Sequence, residues 1–196
     1  MSELIYPVGI APLLPKPSYL NPAPEAVKSV EMIPVVKPDG LVIGQASRSY
    51  LHGGSMLLHP VVHLHLVDRD GRIYLQKRSM KKDLLPGYWD TAVGGHVSYG
   101  EFVNEALYRE AEEELGLYDF NPVPVLTYVF EGIRERELVH VFAAVGNFEP
   151  KPDGEEVTEG RWWTPQELKE SLGNNVLTPN FEGEFARIEK ALEALL

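Results

Sequence analysis

Short apolar runs separated by turn residues occupy the chain from residue 31 onward. Runs of this length, bounded by Gly, Pro and Asp, are typical of β-strands joined by tight turns. The pattern predicts three strands at 123–130, 138–145 and 156–163. It also predicts two hairpins, one over 33–43 that turns at Lys37-Pro38-Asp39-Gly40 and one over 61–77 that turns at Asp68-Arg69-Asp70-Gly71.

Three segments carry helical signals instead. Residues 101–115 form the first, with Gly116 as its C-terminal stop. Thr164-Pro165 opens the second, because Thr caps a helix and Pro suits its first turn. Residues 181–195 form a terminal amphipathic helix. Strands mixed with a few helices favour an α/β (α+β) fold, in which a mixed β-sheet is sandwiched between α-helices.

The first 30 residues differ from the rest because they are rich in proline. Proline lacks the backbone donor that helices and central strands need, so we expect an extended N-terminal tail over 1–30 and one domain over 31–196. The tail is either disordered or an arm along the domain or a partner subunit. Its clustered prolines are Pro7, Pro12, Pro15, Pro17, Pro22 and Pro24.

Composition and charge narrow the function classes. Hydrophobic residues make up 44% and charged residues 24%, as in ordinary globular proteins. The apolar runs are too short for a membrane span and no secretory signal is visible, so we expect a cytoplasmic protein without membrane association. The chain has no cysteine, which excludes disulfides and thiol nucleophiles. A net charge of −11 disfavours general nucleic-acid binding and means that a small anionic substrate needs local cations.

An acidic segment within the first helix is the strongest chemical signal. Glu110, Glu113 and Glu114 share one helical face because they lie three and four residues apart, whereas Glu112 points away. Like charges at this spacing repel by about 0.2–0.5 kcal/mol per pair, and the helix dipole disfavours anions at its C-terminal end. A hard cation such as Mg²⁺ would relieve both effects. Taken alone, the segment also fits a solvated acidic surface.

The residues around these glutamates resemble the Nudix box at every defining position over 23 residues. That resemblance implies a Nudix fold, in which a mixed β-sheet lies between helices, and a hydrolase acting on diphosphate linkages with Mg²⁺ or Mn²⁺. It implies that Glu110, Glu113 and Glu114 are metal ligands and that Glu110 is a candidate base for the attacking water. The matching positions are Gly95, Glu101, Arg109, the three glutamates and Gly116. Glu101 and Arg109 resemble the residues that hold the loop of the box against its helix.

The surrounding sequence is similar to isopentenyl-diphosphate isomerases and their hydrolase-like relatives. Residues 76–82 and 86–89 match the phosphate-binding strand and loop of that group, which implies substrate contacts from Arg78 and Lys82. A basic cluster in this acidic chain suits an anionic substrate. The alternative for this segment is a solvated hairpin edge.

The isomerases also carry a metal site of three histidines and two glutamates. The resemblance implies a second metal site here, formed by His52, His59, His96, Glu135 and Glu137. The alternative is that these residues are remnants of ancestry or ordinary polar residues around a pocket. His63 and His65 have no family counterpart, and we expect them to be surface histidines or core histidines with satisfied hydrogen bonds.

Gly94 decides between the two reactions. The isomerases have a cysteine at this position, so a proton-shuttling isomerase would lack its acid/base group here. We therefore expect a metal-dependent hydrolase that cleaves a nucleoside diphosphate linked to another moiety. The alternatives are isopentenyl-diphosphate isomerisation and a non-catalytic ligand sensor on a Nudix frame. A homodimer is compatible with the resemblance, although nothing in the sequence is specific for one.

Overall fold

One eight-stranded mixed sheet organises the protein in the computed structural model, which describes residues 4–5, 30–82 and 84–196. Six strands form a path in the order β1-β8-β9-β4-β5-β10, β7 pairs with β4, and β6 pairs with β5. A separate hairpin consists of β2 (Met32–Val36) and β3 (Val42–Ser47). The strands of the main sheet are β1 (Leu4–Ile5), β4 (Leu58–Val67), β5 (Ile73–Arg78), β6 (Trp89–Asp90), β7 (Val93–His96), β8 (Val123–Glu131), β9 (Arg136–Val145) and β10 (Val157–Trp163).

Four α-helices accompany the strands in the described part of the chain. They are α1 (Arg48–Tyr50), which continues into a π-helical turn at Leu51–Ser55, α2 (Val103–Leu115), α3 (Pro165–Ser171) and α4 (Pro179–Glu193). Gly116 ends α2 with a φ of 63°, a left-handed conformation that glycine adopts without steric cost. Thr164 caps α3 as the sequence predicted, since its hydroxyl accepts from the Glu167 amide.

The helices cover opposite faces of the sheet. On one face, α2 buries Leu107, Ala111 and Leu115 against the even-numbered residues of β4, such as Val62 and Leu64. On the other face, α3 and α4 pack against the odd-numbered residues of β4 and β9, where Phe181, Phe185 and Ile188 meet Val61 and Val139. Side chains of a strand alternate between faces, so residues next to each other on β4 or β7 serve different layers. The predicted α+β architecture is confirmed.

Two local expectations differ from the structure. The first helix begins at Val103 rather than Glu101, because the Glu101 carboxylate lies in the preceding loop and accepts from the Ser98 amide. Strands β6 and β7 were not predicted, since two residues and a Gly-Gly pair give no strand pattern. The predicted tail over 1–30 lies outside the described residues, apart from Val30 and the short strand β1, which pairs with β8.

No helix in the described part of the chain is long and apolar enough to cross a membrane.

Candidate active site

Two consecutive glycines on β7, Gly94 and Gly95, face opposite sides of the sheet and leave the backbone uncovered on both sides. Gly95 faces α2, and a Cβ atom there would lie 2.0 Å from the Cδ atom of Glu110. Gly94 faces the opposite layer, where it pairs with His63 on β4. The carboxylate of Glu110 therefore occupies space that any side chain at position 95 would fill. This gives a physical reason for glycine at that position of the predicted motif.

Glu114 lies beneath the same strand. Its Oε2 atom accepts from the Gly94 amide at 3.2 Å and from the Gln76 side chain at 3.3 Å. The side chain is buried, and burial together with the nearby charge of Glu110 raises the pKa of Glu114 to about 8. Burial also raises the pKa of Glu110. Two carboxyl groups that resist ionisation side by side are suited to a divalent cation, which would hold both in the charged form.

Arg109 holds the glutamate face and the preceding loop together. Its Nε and Nη2 atoms donate to both oxygens of Glu101, at 2.8 and 2.9 Å, and Nη2 also donates to the His96 carbonyl. Its Nη1 atom donates to Glu110 at 2.7 Å and to Glu113 at 3.1 Å. The Glu113 side chain is 60% exposed and turned towards Arg109. Glu110 and Glu114 thus reach β7, whereas Glu113 does not in this conformation.

The two predicted substrate-binding cations have different protein partners. Lys82 pairs with Glu156, and both of these charges act on the buried carboxyl of Glu114. Arg78 donates to the Leu84 carbonyl and lies 3.4 Å from Asp90. Its charge also acts on Glu135 at the second predicted site. Both cations have protein partners that a substrate phosphate would have to replace or share.

The predicted histidine cluster is assembled. His52, His59 and His96 offer ring nitrogens that all lie within 4.8 Å of one another, and they are the one such group of three found among the described residues. The Nε2 atoms of His52 and His96 are 2.9 Å apart. His59 is fully buried and its Nδ1 donates to the Leu57 carbonyl at 3.1 Å, which leaves Nε2 without a partner among the described residues. An unpartnered buried lone pair facing two other imidazoles suits a metal ion.

The two glutamates of that prediction adjoin the histidines. Glu135 accepts from His52 Nδ1, and this hydrogen bond holds the pKa of Glu135 below its usual range. Glu137 pairs with His59 across the parallel strands β4 and β9. Burial and the charge of Glu135 raise the pKa of Glu137 to about 7. The donor set of imidazoles and carboxylates fits a transition metal or Mn²⁺.

A buried polar network on α4 was missed by sequence reasoning. Glu184 accepts from His63 Nδ1 at 2.9 Å, from His65 Nε2 at 2.6 Å and from the Tyr128 hydroxyl at 2.9 Å. His63 and His65 are therefore hydrogen-bonded core histidines. A signal was available, because Glu184 falls on the apolar face of its helix with Phe181, Phe185 and Ile188.

Comparisons with known proteins agree with this geometry. The family model described as "NUDIX domain" matches residues 57–181. This range begins just before β4 and ends in the first turn of α4. The chain belongs to the NUDIX domain family. This membership supports cleavage of pyrophosphate bonds, an activity of the acid anhydride hydrolase type, and the general use of divalent metal by Nudix hydrolases fits the carboxylates beneath β7.

Curated relatives of this Nudix protein carry the name isopentenyl-diphosphate Δ-isomerase. The one from Brevibacterium linens is 35% identical over 149 residues, covering 73% of this chain and 82% of the relative. The one from Leifsonia xyli is 34% identical over 153 residues, covering 72% of this chain and 81% of the relative. The predicted similarity to the isomerase group is confirmed.

Three solved structures illustrate the similarity of fold, and two of them are named as Nudix or MutT proteins. DR0079 from Deinococcus radiodurans has a TM-score of 0.69 at 25% identity and covers 80% of this chain and 98% of its own. The MutT protein from Methanosarcina mazei has a TM-score of 0.59 at 25% identity, covering 68% and 94%. The MutT NUDIX hydrolase from Burkholderia pseudomallei has a TM-score of 0.55 at 26% identity, covering 71% and 98%.

Proposed function

We propose that this protein hydrolyses a nucleoside diphosphate linked to another moiety, by attack of water on phosphorus. The observation that carries the proposal is the placement of two carboxylates beneath the Gly94-Gly95 backbone. Gly95 admits Glu110, while the Gly94 amide and Gln76 orient Glu114. This arrangement concentrates acidic groups at a backbone edge that a diphosphate can approach only when cations intervene.

Mg²⁺, or Mn²⁺ in its place, is the cofactor that these oxygens fit. Glu110, Glu113 and Glu114 would hold it, since hard cations take carboxylate ligands. Such an ion supplies neutralisation of phosphoryl oxygens and a lowered pKa for bound water. Glu113 needs a change of side-chain conformation to join the other two, because it now pairs with Arg109. An exposed side chain can make that change at little cost.

The chain's own groups divide the remaining tasks. Glu110 is the less buried of the two carboxylates beneath β7 and would accept the proton of the attacking water. Lys82 and Arg78 would bind the phosphates, exchanging Glu156 and Asp90 for substrate oxygens. Arg109 and Glu101 would keep the loop before α2 in place through their paired hydrogen bonds.

A second metal centre is part of the proposal. His52, His59, His96, Glu135 and Glu137 would hold one ion on the α4 side of β7. Two observations support this centre. The lone pair of His59 Nε2 has no partner among the described residues, and ring nitrogens of the three histidines lie within 4.8 Å of one another. The strand β7 would then separate two metal centres, with the Glu cluster on one side and the His cluster on the other.

Isomerisation of isopentenyl diphosphate is the second candidate, favoured by the names of the curated relatives and by the histidine cluster. Glycine at position 94 counts against it, because that residue offers no acid/base group. Incubation with isopentenyl diphosphate in D₂O separates the two reactions. An isomerase incorporates deuterium into the prenyl product, whereas a hydrolase releases phosphate without such exchange.

The main test is a metal-dependent screen of nucleoside diphosphate-X compounds and prenyl diphosphates with product identification. We expect turnover of at least one nucleotide compound, abolished in Glu114→Gln. Glu112→Gln is the matched control, because Glu112 is exposed and lies off the shared face. Unchanged turnover in Glu114→Gln would refute the proposal. Tight binding across the panel without turnover would indicate a ligand sensor instead.

A further inference from the structure

The hydrogen bonds around Glu184 hold one histidine, His63, in an orientation that packing in the core does not by itself require. Glu184 lies on α4 and is 1% exposed, so its charge has to be balanced within the protein. Its two oxygens accept from two histidines of β4, and Tyr128 of β8 adds a third hydrogen bond. The carboxylate therefore fixes the ring positions of both histidines from the helix side.

The two histidines differ in what their remaining nitrogen faces. His65 is fully buried, and its Nδ1 is sealed without a partner among the described residues. His63 retains 8% exposure, and its Nε2 has no hydrogen bond to the described residues. One ring nitrogen of His63 is thus held by Glu184, and the other, called the open nitrogen below, has no hydrogen bond to the described residues.

The open nitrogen lies beside Gly94, the residue at which β7 lacks a side chain. A Cβ atom at position 94 would sit 3.5 Å from His63 Cδ2 and 3.7 Å from Nε2. The strand partners His63 and Gly94 face the same layer, and the proposed histidine metal ligand His96 follows two residues later on that layer. Because position 94 has no side chain, β7 leaves the volume of one methyl group free beside the His63 ring.

Charges around His63 favour its protonated form. Burial acts to lower its pKa, but the charge and the hydrogen bond of Glu184 outweigh that effect and raise the pKa of His63 to about 9. The same pairing holds the pKa of Glu184 well below its usual range, despite burial. Asp90 and Glu137 add negative charge at longer range. An imidazolium with one open N–H is a charge-assisted donor for an anionic oxygen.

We infer that His63 is a substrate-binding residue that donates from Nε2, over Gly94, to an anionic oxygen of the diphosphate substrate, and that Glu184 is its positioning residue. The inference rests on the proposed function, because it assigns a further contact to the substrate of that reaction. It adds a cationic contact on the α4 side of β7 to those predicted for Arg78 and Lys82. His65, which shares the carboxylate but is closed to solvent, has no such role.

The first test observes the contact without relying on catalysis. Side-chain ¹H–¹⁵N spectra of the six histidines are recorded while inorganic pyrophosphate is added at constant, saturating Mg²⁺. We expect a saturable shift of the His63 Nε2 signal and no comparable shift for His65. No saturable shift at His63 up to millimolar pyrophosphate overturns the inference, whatever the other histidines do. Signals are assigned by their loss in single His→Gln variants.

The second test separates binding from folding. His63→Gln should raise KM, or lower kcat/KM, by about tenfold or more for the best compound of the screen, as expected when a charged hydrogen bond is lost. Glu184→Gln should raise KM in the same direction and move the His63 Nδ1 signal. His65→Gln, the matched control, should change melting temperature but keep KM within about twofold.

The outcomes keep the two hypotheses apart. Turnover by the wild type with unchanged KM in His63→Gln overturns the role of His63 and leaves hydrolysis standing. Absence of turnover by the wild type counts against the proposed function, while the pyrophosphate spectra still decide the contact. If His63→Gln does not fold, the wild-type spectra and the Glu184→Gln kinetics provide the decision.

Discussion

Replacement of Gly95 by alanine should disable the active site while leaving the fold almost intact. The added Cβ would lie 2.0 Å from Glu110 Cδ and 2.3 Å from Oε1. Ordinary contact between such atoms needs about 3.5 Å, so the carboxylate must retreat by about 1.5 Å. The displaced atoms are the end of a side chain that can rotate, so the strain need not pass into the backbone.

The expected magnitude follows from this displacement. A misplacement of about 1 Å in a catalytic group can reduce the rate about 100-fold, which corresponds to about 2.7 kcal/mol in the activation free energy. The accompanying loss of the Glu110–Arg109 ion pair should lower the free energy of unfolding by only about 1 kcal/mol or less, because Arg109 keeps Glu101. Activity and stability should therefore respond very differently to one methyl group.

The assay is a double-mutant cycle with initial rates and urea unfolding. Gly95→Ala, Glu110→Ala and the double variant are compared, with Gly44→Ala as the matched strand-glycine control, since a Cβ there meets nothing within 4 Å. Once Glu110 is truncated, Gly95→Ala should cost no further activity, because the clashing atoms are gone. Retention of wild-type rate in Gly95→Ala, or additive losses in the cycle, would refute the reasoning.

Three further predictions use the same assays. Glu114→Gln should lower turnover at least about 100-fold. Because the pKa of Glu114 in the folded protein is raised to about 8, the metal-free wild type should lose stability relative to this variant as the pH rises from about 5 to about 8. Parallel plots of stability against pH for the two proteins would contradict this. His59→Gln should weaken Mn²⁺ binding measured by calorimetry about tenfold or more, with His140→Gln as control, and equal affinities would exclude the second centre. Lys82→Gln should raise KM about threefold to tenfold while Lys37→Gln, at an exposed turn, leaves it unchanged; equal KM values would remove Lys82 from the substrate site.

Sequence pattern predicted the main strands and helices because their periodicity and end signals agree. The predicted bounds of these elements lie within a few residues of those in the structure. They are the hairpin over 61–77, the strands at 123–130 and 138–145, and the helix that ends at Gly116. β7 escaped because two glycines carry no side-chain pattern. Its position is set by pairing with β4, which is a tertiary effect.

The candidate site was predictable where spacing along one element decides the geometry. Glu110 and Glu114 share a helix face, and Arg109 pairs with Glu101 eight residues away. Glu113 shares that spacing, but its exposed side chain pairs with Arg109, and periodicity cannot choose between rotamers. Glu184 was missed because its partners His63 and His65 are 121 and 119 residues away, so only the folded sheet brings them together.

The long sequence separation between Glu184 and its histidine partners, 121 and 119 residues, has a consequence for synthesis. A ribosome makes the histidines of β4 and the whole Nudix motif long before it makes α4. Until residue 184 leaves the exit tunnel, His63 and His65 have no carboxylate to balance them, and the apolar layer around Val61 and Val139 has no cover from Phe181 and Phe185. The nascent protein can form its acidic helix early, but the layer on the other side of β7 becomes complete only after α4 has emerged. A premature stop that removes α4 would therefore leave the residues of the motif present in a protein with an open core.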